Sequence, residues 1–406
     1  MHLRAFELHL LVACGVASGT CQQGAECWGA TGECSVGSED KPSEFISLLQ
    51  QRSSRATEAR RPFAHETQVE AGARGRSICL HNHALPQLYL LGPQKSGTTT
   101  VASDLFAGGV KDARSGKHCD DWDCKELHTF ENICGYDPVT SKPKDGKSRC
   151  ALMTRAQKQE WAEQFQLCTS DNALLADMTP ANLRLPDLAP MMADLYGEFK
   201  SSLRFIILLR NPVARMHSGF YHELQHDNFN GHMDFITMDF TTWLQEEVMP
   251  RVERFNTNQT IMETDARMDQ FYRSLMSVQL KSWLDTFNPS QFMLVPSSLY
   301  FQNAKFRQKV WRQMSEKWGF TLQEPLKEEL RHDNQGFHPR LEKDSEPSVI
   351  QELNSKYFYP DAVNLAKLLS KVIPMGFTLS GYTGRPDSAF EIGSFLQSVD
   401  YPSADQ

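Results

Sequence analysis

Lys95, Ser96, Gly97, Thr98 and Thr99 follow one another in the run LYLLGPQKSGTTTVASDLF, where an apolar segment meets Gly92 and Pro93 and a helical pattern begins. A strand–loop–helix junction of this kind aims backbone N–H groups and a helix N-terminus at one point, which suits an anion. Gly97 lets the backbone approach closely, Ser96, Thr98 and Thr99 offer hydroxyl donors, and Lys95 supplies a point charge. The nearest general phosphate motif is G-x-x-x-x-G-K-[ST]. Gly92 and Gly97 have its glycine spacing, but position 98 is threonine and Lys95 lies two residues before the second glycine. The fit to an ATP-dependent phosphotransferase is therefore poor.

A second cluster occupies LLRNPVARMHSGFYHE, with Arg210, Pro212, Arg215 and Ser218 at the end of an apolar run. A guanidinium fork suits a phosphate dianion, and a serine one or two helical turns further on adds a hydroxyl. Taken singly, Arg210 reads equally well as a strand-end salt bridge and Ser218 as a solvent-facing helix position. A third stretch, CDDWDCKELHTFEN, gathers acids, cysteines and His128. His118, Cys119, Cys124 and His128 have only a loose spacing for zinc, and disulfides or free thiols suit these cysteines better.

The motif GPQKSGTT resembles the 5′-phosphosulfate loop of sulfotransferases that use 3′-phosphoadenosine 5′-phosphosulfate (PAPS). The same family has a second signature, a strand ending in arginine with a serine eight residues later, and Arg210 and Ser218 match it. The resemblance spans roughly residues 88–369 and is weakest between 225 and 270. It implies that Lys95, Ser96, Gly97, Thr98 and Thr99 cradle the 5′-phosphosulfate and that Arg210 and Ser218 bind the 3′-phosphate. No metal is called for. In the luminal carbohydrate members a glutamate lies a few residues before an aromatic, and KELHTFE is similar, with Glu126 at the matching place. Glu126 is thus the implied general base and Lys95 the cation at the leaving oxygen. His128 is the understudy for the base, because cytosolic relatives use a histidine there; Glu131 is less well placed. LLADMTPANLRLPD resembles the segment after the second core strand, which makes Asp177 a candidate to order the base or touch the acceptor. Met178 stands where some heparan sulfate enzymes have lysine. DNQGFHPRL resembles the loop that closes over the nucleotide, so Gly336, Phe337 and His338 are candidate contacts. The whole pattern is most similar to glycosaminoglycan enzymes, including the chondroitin 6-O type related to N-acetylgalactosamine 4-sulfate 6-O-sulfotransferase. A carbohydrate hydroxyl is the implied acceptor; protein tyrosine or a small alcohol or phenol is the alternative that keeps the donor, and an ATP-dependent phosphotransferase or a non-catalytic nucleotide-binding relative abandons it.

These clusters need a scaffold. QLYLLG, ALLADMTP, LRFIILLRNP and QFMLVPSSLY read as strands, the third nearly all apolar and therefore central in a parallel sheet. Segments such as DQFYRSLMSVQLKSWLDTF between them have helical spacing. Alternating strands and helices predict an α/β, P-loop-like three-layer fold with helices flanking a central parallel sheet. The chain of 406 residues, 40% hydrophobic with a net charge of −8, can bury one large core. That charge argues mildly against a general polyanion binder, and nucleic acid is not an expected partner.

Four regions are expected: a signal peptide or short anchor over 1–20, a Cys/Gly/Ser-rich extension over 21–84, the catalytic domain over 85–381 and a polar tail over 382–406. The apolar run near Leu10–Ala17 is too short for an ordinary membrane span, so membrane association is expected only through this N-terminal segment. An uncleaved cytosolic N-terminus is the competing reading. All ten cysteines lie between Cys14 and Cys168, which suits local disulfides and a location in the Golgi lumen or outside the cell. Asn258-Gln259-Thr260 is a glycosylation acceptor by pattern. Pairing and oligomeric state are not legible.

Overall fold

Apolar runs too short to be helices and buried on both faces build the centre of the molecule. The strands are β1 (Ile78–Leu80), β2 (His83–Leu85), β3 (Leu88–Gly92), β4 (Lys111–Asp112), β5 (Leu175–Asp177), β6 (Arg204–Leu209), β7 (Phe292–Pro296) and β8 (Thr378–Leu379). Six of them form one sheet in the order β4-β5-β3-β6-β7-β8, with every pairing parallel. The computed structural model describes residues 78–114, 125–135, 150–169, 174–185, 187–225, 238–255, 266–320, 322 and 341–402.

Residues alternate between the two faces of this sheet, as strand geometry requires. Tyr89, Leu91, Phe205, Ile207, Phe292 and Leu294 point into one core, whereas Leu88, Leu90, Ile206, Leu208, Met293 and Val295 point into another. Helices cover both sides: α1 (Thr98–Ala107), α2 (Thr129–Ile133), α3 (Arg155–Ala162), α4 (Leu188–Tyr196), α5 (Pro212–Gln225), α6 (Ala266–Tyr272), α7 (Met276–Leu284), α8 (Ser297–Gln302), α9 (Ala304–Trp318), α10 (Tyr359–Val372) and α11 (Ala389–Ser398), with shorter helical stretches at 240–255 and 341–358. Helices α4, α7, α10 and α11 pack on the first face, and α1 and α9 on the second. The predicted three-layer α/β architecture is what the chain adopts.

Four local expectations change. QFMLVPSSLY does not run as a strand to Tyr300; it stops at Pro296, and Ser297 opens α8. DQFYRSLMSVQLKSWLDTF breaks between α6 and α7, where the Ser274 hydroxyl lies against the carbonyls of Pro212 and Gln270. The tail after Gly381 is not peripheral, because Ile392, Leu396, Val399 and Tyr401 are buried in the main core. At the other end, residues 78–84, grouped above with the extension, belong to an antiparallel hairpin whose Ile78, Ala84 and Leu85 join that core. Disulfides Cys79–Cys168 and Cys134–Cys150 staple the region around it. The remaining cysteines, the N-terminal segment and Asn258 lie outside the described residues. No helix among the described residues is long and apolar enough to cross a membrane.

Candidate functional site

β3 and β6 are neighbours at the centre of the sheet, and the chain leaves β3 for β4 on one side and β6 for β7 on the other. Ligands of open parallel sheets bind outside the carboxyl ends of the strands at such a point. Both predicted anion loops lie there. Gly92 is paired with Ile207 across β3 and β6, so the loop after Gly92 and the turn after Leu209 leave neighbouring strands. The first loop is shaped by close approach: Gly92 has φ 117°, and a Cβ there would lie 2.1 Å from the Pro180 carbonyl oxygen. Lys95, at φ 65°, and Gly97, at φ 92°, are also left-handed. A side chain at Gly97 would strike the Phe301 ring of α8. Helix α1 begins with no side-chain cap, which leaves its first-turn amides without intrahelical partners.

Within this loop Lys95, Gly97 and Thr99 are partly accessible, whereas Ser96 and Thr98 are buried. The Ser96 hydroxyl is enclosed with no hydrogen-bond partner, and the Ser96 carbonyl accepts from Ser297 Oγ at 2.8 Å. Burial, and then the neighbouring Arg210 charge, lower the Lys95 pKa from its ordinary value. Arg210 donates from Nη1 to the Lys95 carbonyl, which ties the two loops together. Asn211 caps α5 by accepting the Ala214 amide at 3.0 Å, with Pro212 at the first helical position. Ser218 lies in α5 and is buried. Arg215, from the same motif, faces the interior. It is enclosed, donates to Ser274 Oγ and to Gln270, and reaches the Gln94 carbonyl at 3.4 Å. Burial, with Arg273 beside it, pushes its pKa down to about 9.

The third cluster meets the first. Lys125 Nζ donates to Thr99 Oγ1 at 3.0 Å and lies 2.5 Å from Glu126 Oε1. Glu126 Oε2 is 3.3 Å from His128 Nε2, and His128 Nδ1 is 2.5 Å from Glu131 Oε2. Burial alone would raise the Glu126 pKa, but the bonds from His128 and Lys125 outweigh it and hold the carboxyl below its ordinary value. Burial opposes the His128 cation, yet its two carboxylate partners carry the pKa up to about 10. At neutral pH the arrangement is therefore an ionised Glu126 beside an imidazolium. Because the folded pKa lies above the ordinary 6.5, the stability that His128 contributes is complete below that pH and is lost as pH rises towards 10. The stability difference between the protein and its His128→Gln variant, read from urea unfolding, should shrink across that window. A difference independent of pH would show that the ring is not held as a cation.

Asp177 is not available to an acceptor. It is buried and spends its oxygens on Thr179 N and Oγ1 and on Asn182 Nδ2. Thr179 Oγ1 in turn accepts the His128 amide, so Asp177, through Thr179, ties down the segment that carries Glu126 and His128. Met178 is packed in the core, its amide bonded to the Lys125 carbonyl. Gly336, Phe337, His338, His118, Cys119 and Cys124 lie outside the described residues.

Sequence reasoning missed Lys125, although its adjacency to Glu126 was a usable signal. It also missed a buried network behind the base. Arg184 pairs with Glu131 at 3.4 Å and with Asp269 at 2.9 Å, Asp269 holds Arg273, and Arg273 donates to the Gln94 side chain at the start of the phosphate loop. A continuous polar path thus connects the carboxylate end of the site to the anion end.

A lysine-bearing strand–helix loop, an arginine turn on the adjacent strand and an ionised carboxylate between two cations suit transfer of an anionic group to a hydroxyl. The family model described as "Sulfotransferase domain" matches residues 85–303, which include every one of these groups and more than half of the chain. The chain belongs to the sulfotransferase family and is a sulfuryl-transferring enzyme. In general this family takes its sulfate from PAPS. The chain is also similar to a solved sulfotransferase from Alicyclobacillus acidocaldarius at 21% identity, covering 70% of this chain and 96% of that one with a TM-score of 0.44. No curated protein matches the sequence.

Proposed function

We propose that this enzyme transfers the sulfuryl group of PAPS to a hydroxyl of a glycosaminoglycan-like carbohydrate, within the secretory pathway. The observation that carries the donor reading is the placement of two basic loops on hydrogen-bonded neighbours, β3 and β6. The residues present fit such a ligand. The uncapped first turn of α1 offers amides, Lys95 and Thr99 are accessible, and Arg210 supplies a second cation. Gly336, Phe337 and His338 remain proposed nucleotide contacts.

When bound, the donor supplies an electrophilic sulfur and a phosphate leaving group. Each residue then has a task. Lys95 and the α1 amides hold the 5′ end, and Arg210 with Ser218 holds the 3′-phosphate. Glu126 accepts the proton of the acceptor hydroxyl. His128, paired on both sides by carboxylates, fixes the direction of Glu126 and is not free to act as a base while protonated. Lys125 spans the gap between base and phosphate loop and places positive charge where negative charge builds during transfer. Lys95 is suited to the departing oxygen, since a lowered pKa makes it a readier proton donor.

The carbohydrate assignment is supported by the resemblance of KELHTFE, with Glu126 a few residues before Phe130, to the luminal enzymes, and the luminal location by the two disulfides. Mass spectrometry of a sugar panel incubated with PAPS should show a gain of one sulfate on a glycosaminoglycan fragment. Incorporation confined to tyrosine peptides or phenols would overturn the acceptor. Metal-dependent ATP turnover with no affinity for adenosine 3′,5′-bisphosphate would overturn the donor.

A further inference from the structure

The end of the chain reaches the donor site. Helix α11 is drawn into the main core by Ile392 and Leu396, and the next residues, Val399–Tyr401, form a hook in which Val399 and Tyr401 are buried and Asp400 is exposed. Three bonds fasten it. The Val399 carbonyl accepts from Ser298 Oγ at 3.2 Å, at the start of α8, the helix that also braces the phosphate loop. The Asp400 carbonyl accepts from Asn211 Nδ2 at 2.9 Å. Tyr401 OH lies 3.3 Å from Asp361 Oδ2, and Asp361 receives the Ser277 amide and hydroxyl at the head of α7. Asp400 has φ 63°, a left-handed turn that presents successive carbonyls to Ser298 and Asn211.

Asn211 is the residue after Arg210, and its side chain is divided. Its oxygen caps α5, while its amide group is committed to the hook. The hook lies about a hundred residues beyond residue 303, where the matched domain ends. We propose that the segment Val399–Tyr401 is a positioning element of the donor site, which pins the Arg210–Asn211 turn through Asn211 so that Arg210 stands ready for the 3′-phosphate. This rests on the reading of Arg210 as a nucleotide-binding residue. The hook touches neither ligand nor base. Its effect is on how often the arginine turn is in the binding geometry, and therefore on affinity for the donor rather than on the chemical step.

Asn211→Ser tests it. Serine is as good a helix cap as asparagine, so the cap on α5 survives, but its hydroxyl is too short to hold Asp400 as well. A neutral hydrogen bond of this kind is worth about 1 kcal/mol, so affinity should fall about fivefold. The measurement is calorimetric titration of the full chain with adenosine 3′,5′-bisphosphate, beside steady-state KM and kcat for PAPS, with Arg210→Ala to set the scale of complete loss. Ser298→Ala loosens the same hook from its other anchor and should act in the same direction, and the double variant should lose less than the product of the two singles. The expected result is weaker nucleotide binding and a raised KM with kcat at saturation retained. If Asn211→Ser binds the nucleotide as the parent does, the hook has no such role, although the donor assignment stands. The proposal is equally overturned if kcat falls while affinity is unchanged, or if the two variants act independently. If the parent protein itself fails to bind the nucleotide, the donor assignment fails first.

Discussion

Glu126→Gln is expected to lower turnover by about 10²-fold or more while nucleotide binding persists, because a positioned general base contributes on that order. Glutamine keeps the shape, but its one oxygen can accept from only one of Lys125 and His128 and its amide group faces the other, so nucleotide affinity is measured beside turnover to separate lost proton acceptance from local rearrangement. The geometry also distinguishes Glu126 from its neighbour. His128 is flanked by Glu126 and Glu131 and carries its proton up to about pH 10, whereas Glu126 is ionised well below neutrality. The same cations that keep Glu126 ionised make it a weak base towards a free alcohol. Proton transfer must therefore come late, when bond formation to sulfur has made the hydroxyl acidic. Measured kcat with substituted acceptors of graded acidity would show this as a rate that rises with acidity. Undiminished kcat in Glu126→Gln would remove it from the mechanism.

Lys95→Ala is expected to reduce kcat by about 10²- to 10³-fold, the usual consequence of removing one preorganised charge from the place where an anion develops. The effect should exceed that on nucleotide affinity, since the α1 amides, Thr99 and Arg210 remain. Lys95→Arg should not restore it. The lysine occupies a left-handed position with its carbonyl held by Arg210, and a planar fork on that backbone would not reach the same point as a compact ammonium. Single-turnover rates together with adenosine 3′,5′-bisphosphate affinity separate the two contributions. A variant that loses affinity while its saturated rate is intact would make Lys95 a binding residue only.

Much of the scaffold was legible because it is local. β3 and β6 are buried on both faces and so appear as unbroken apolar runs, and each anion loop is continuous in sequence with its strand and helix. β4 and β8, two residues each, are too short for any periodicity to exist. The buried C-terminal helix carried its signal in Ile392 and Leu396, one turn apart, but exposed residues including Phe390 obscured it. Within the site, Lys95, Arg210 and Glu126 could be named from short motifs. The path behind the base could not, because Arg184 and Asp269 are separated by 85 residues and meet only once the sheet and its flanking helices have formed. Lys125 stood beside Glu126 in the sequence, but that both side chains face the same site is set by the fold, which brings Lys125 to Thr99.

Cys134 directly follows the short helix α2 that begins three residues after Glu126, and its bond to Cys150 closes a ring over a separation of 16 residues. Closing a ring of that size restricts the unfolded chain by about 3 kcal/mol. The segment that carries Glu126 and His128 is thus cross-linked a few residues away, and its order is coupled to the redox state of one cysteine pair. Without that bond, the segment that carries Glu126 and His128 would lose its covalent tie to Cys150 while the parallel sheet kept all of its pairings.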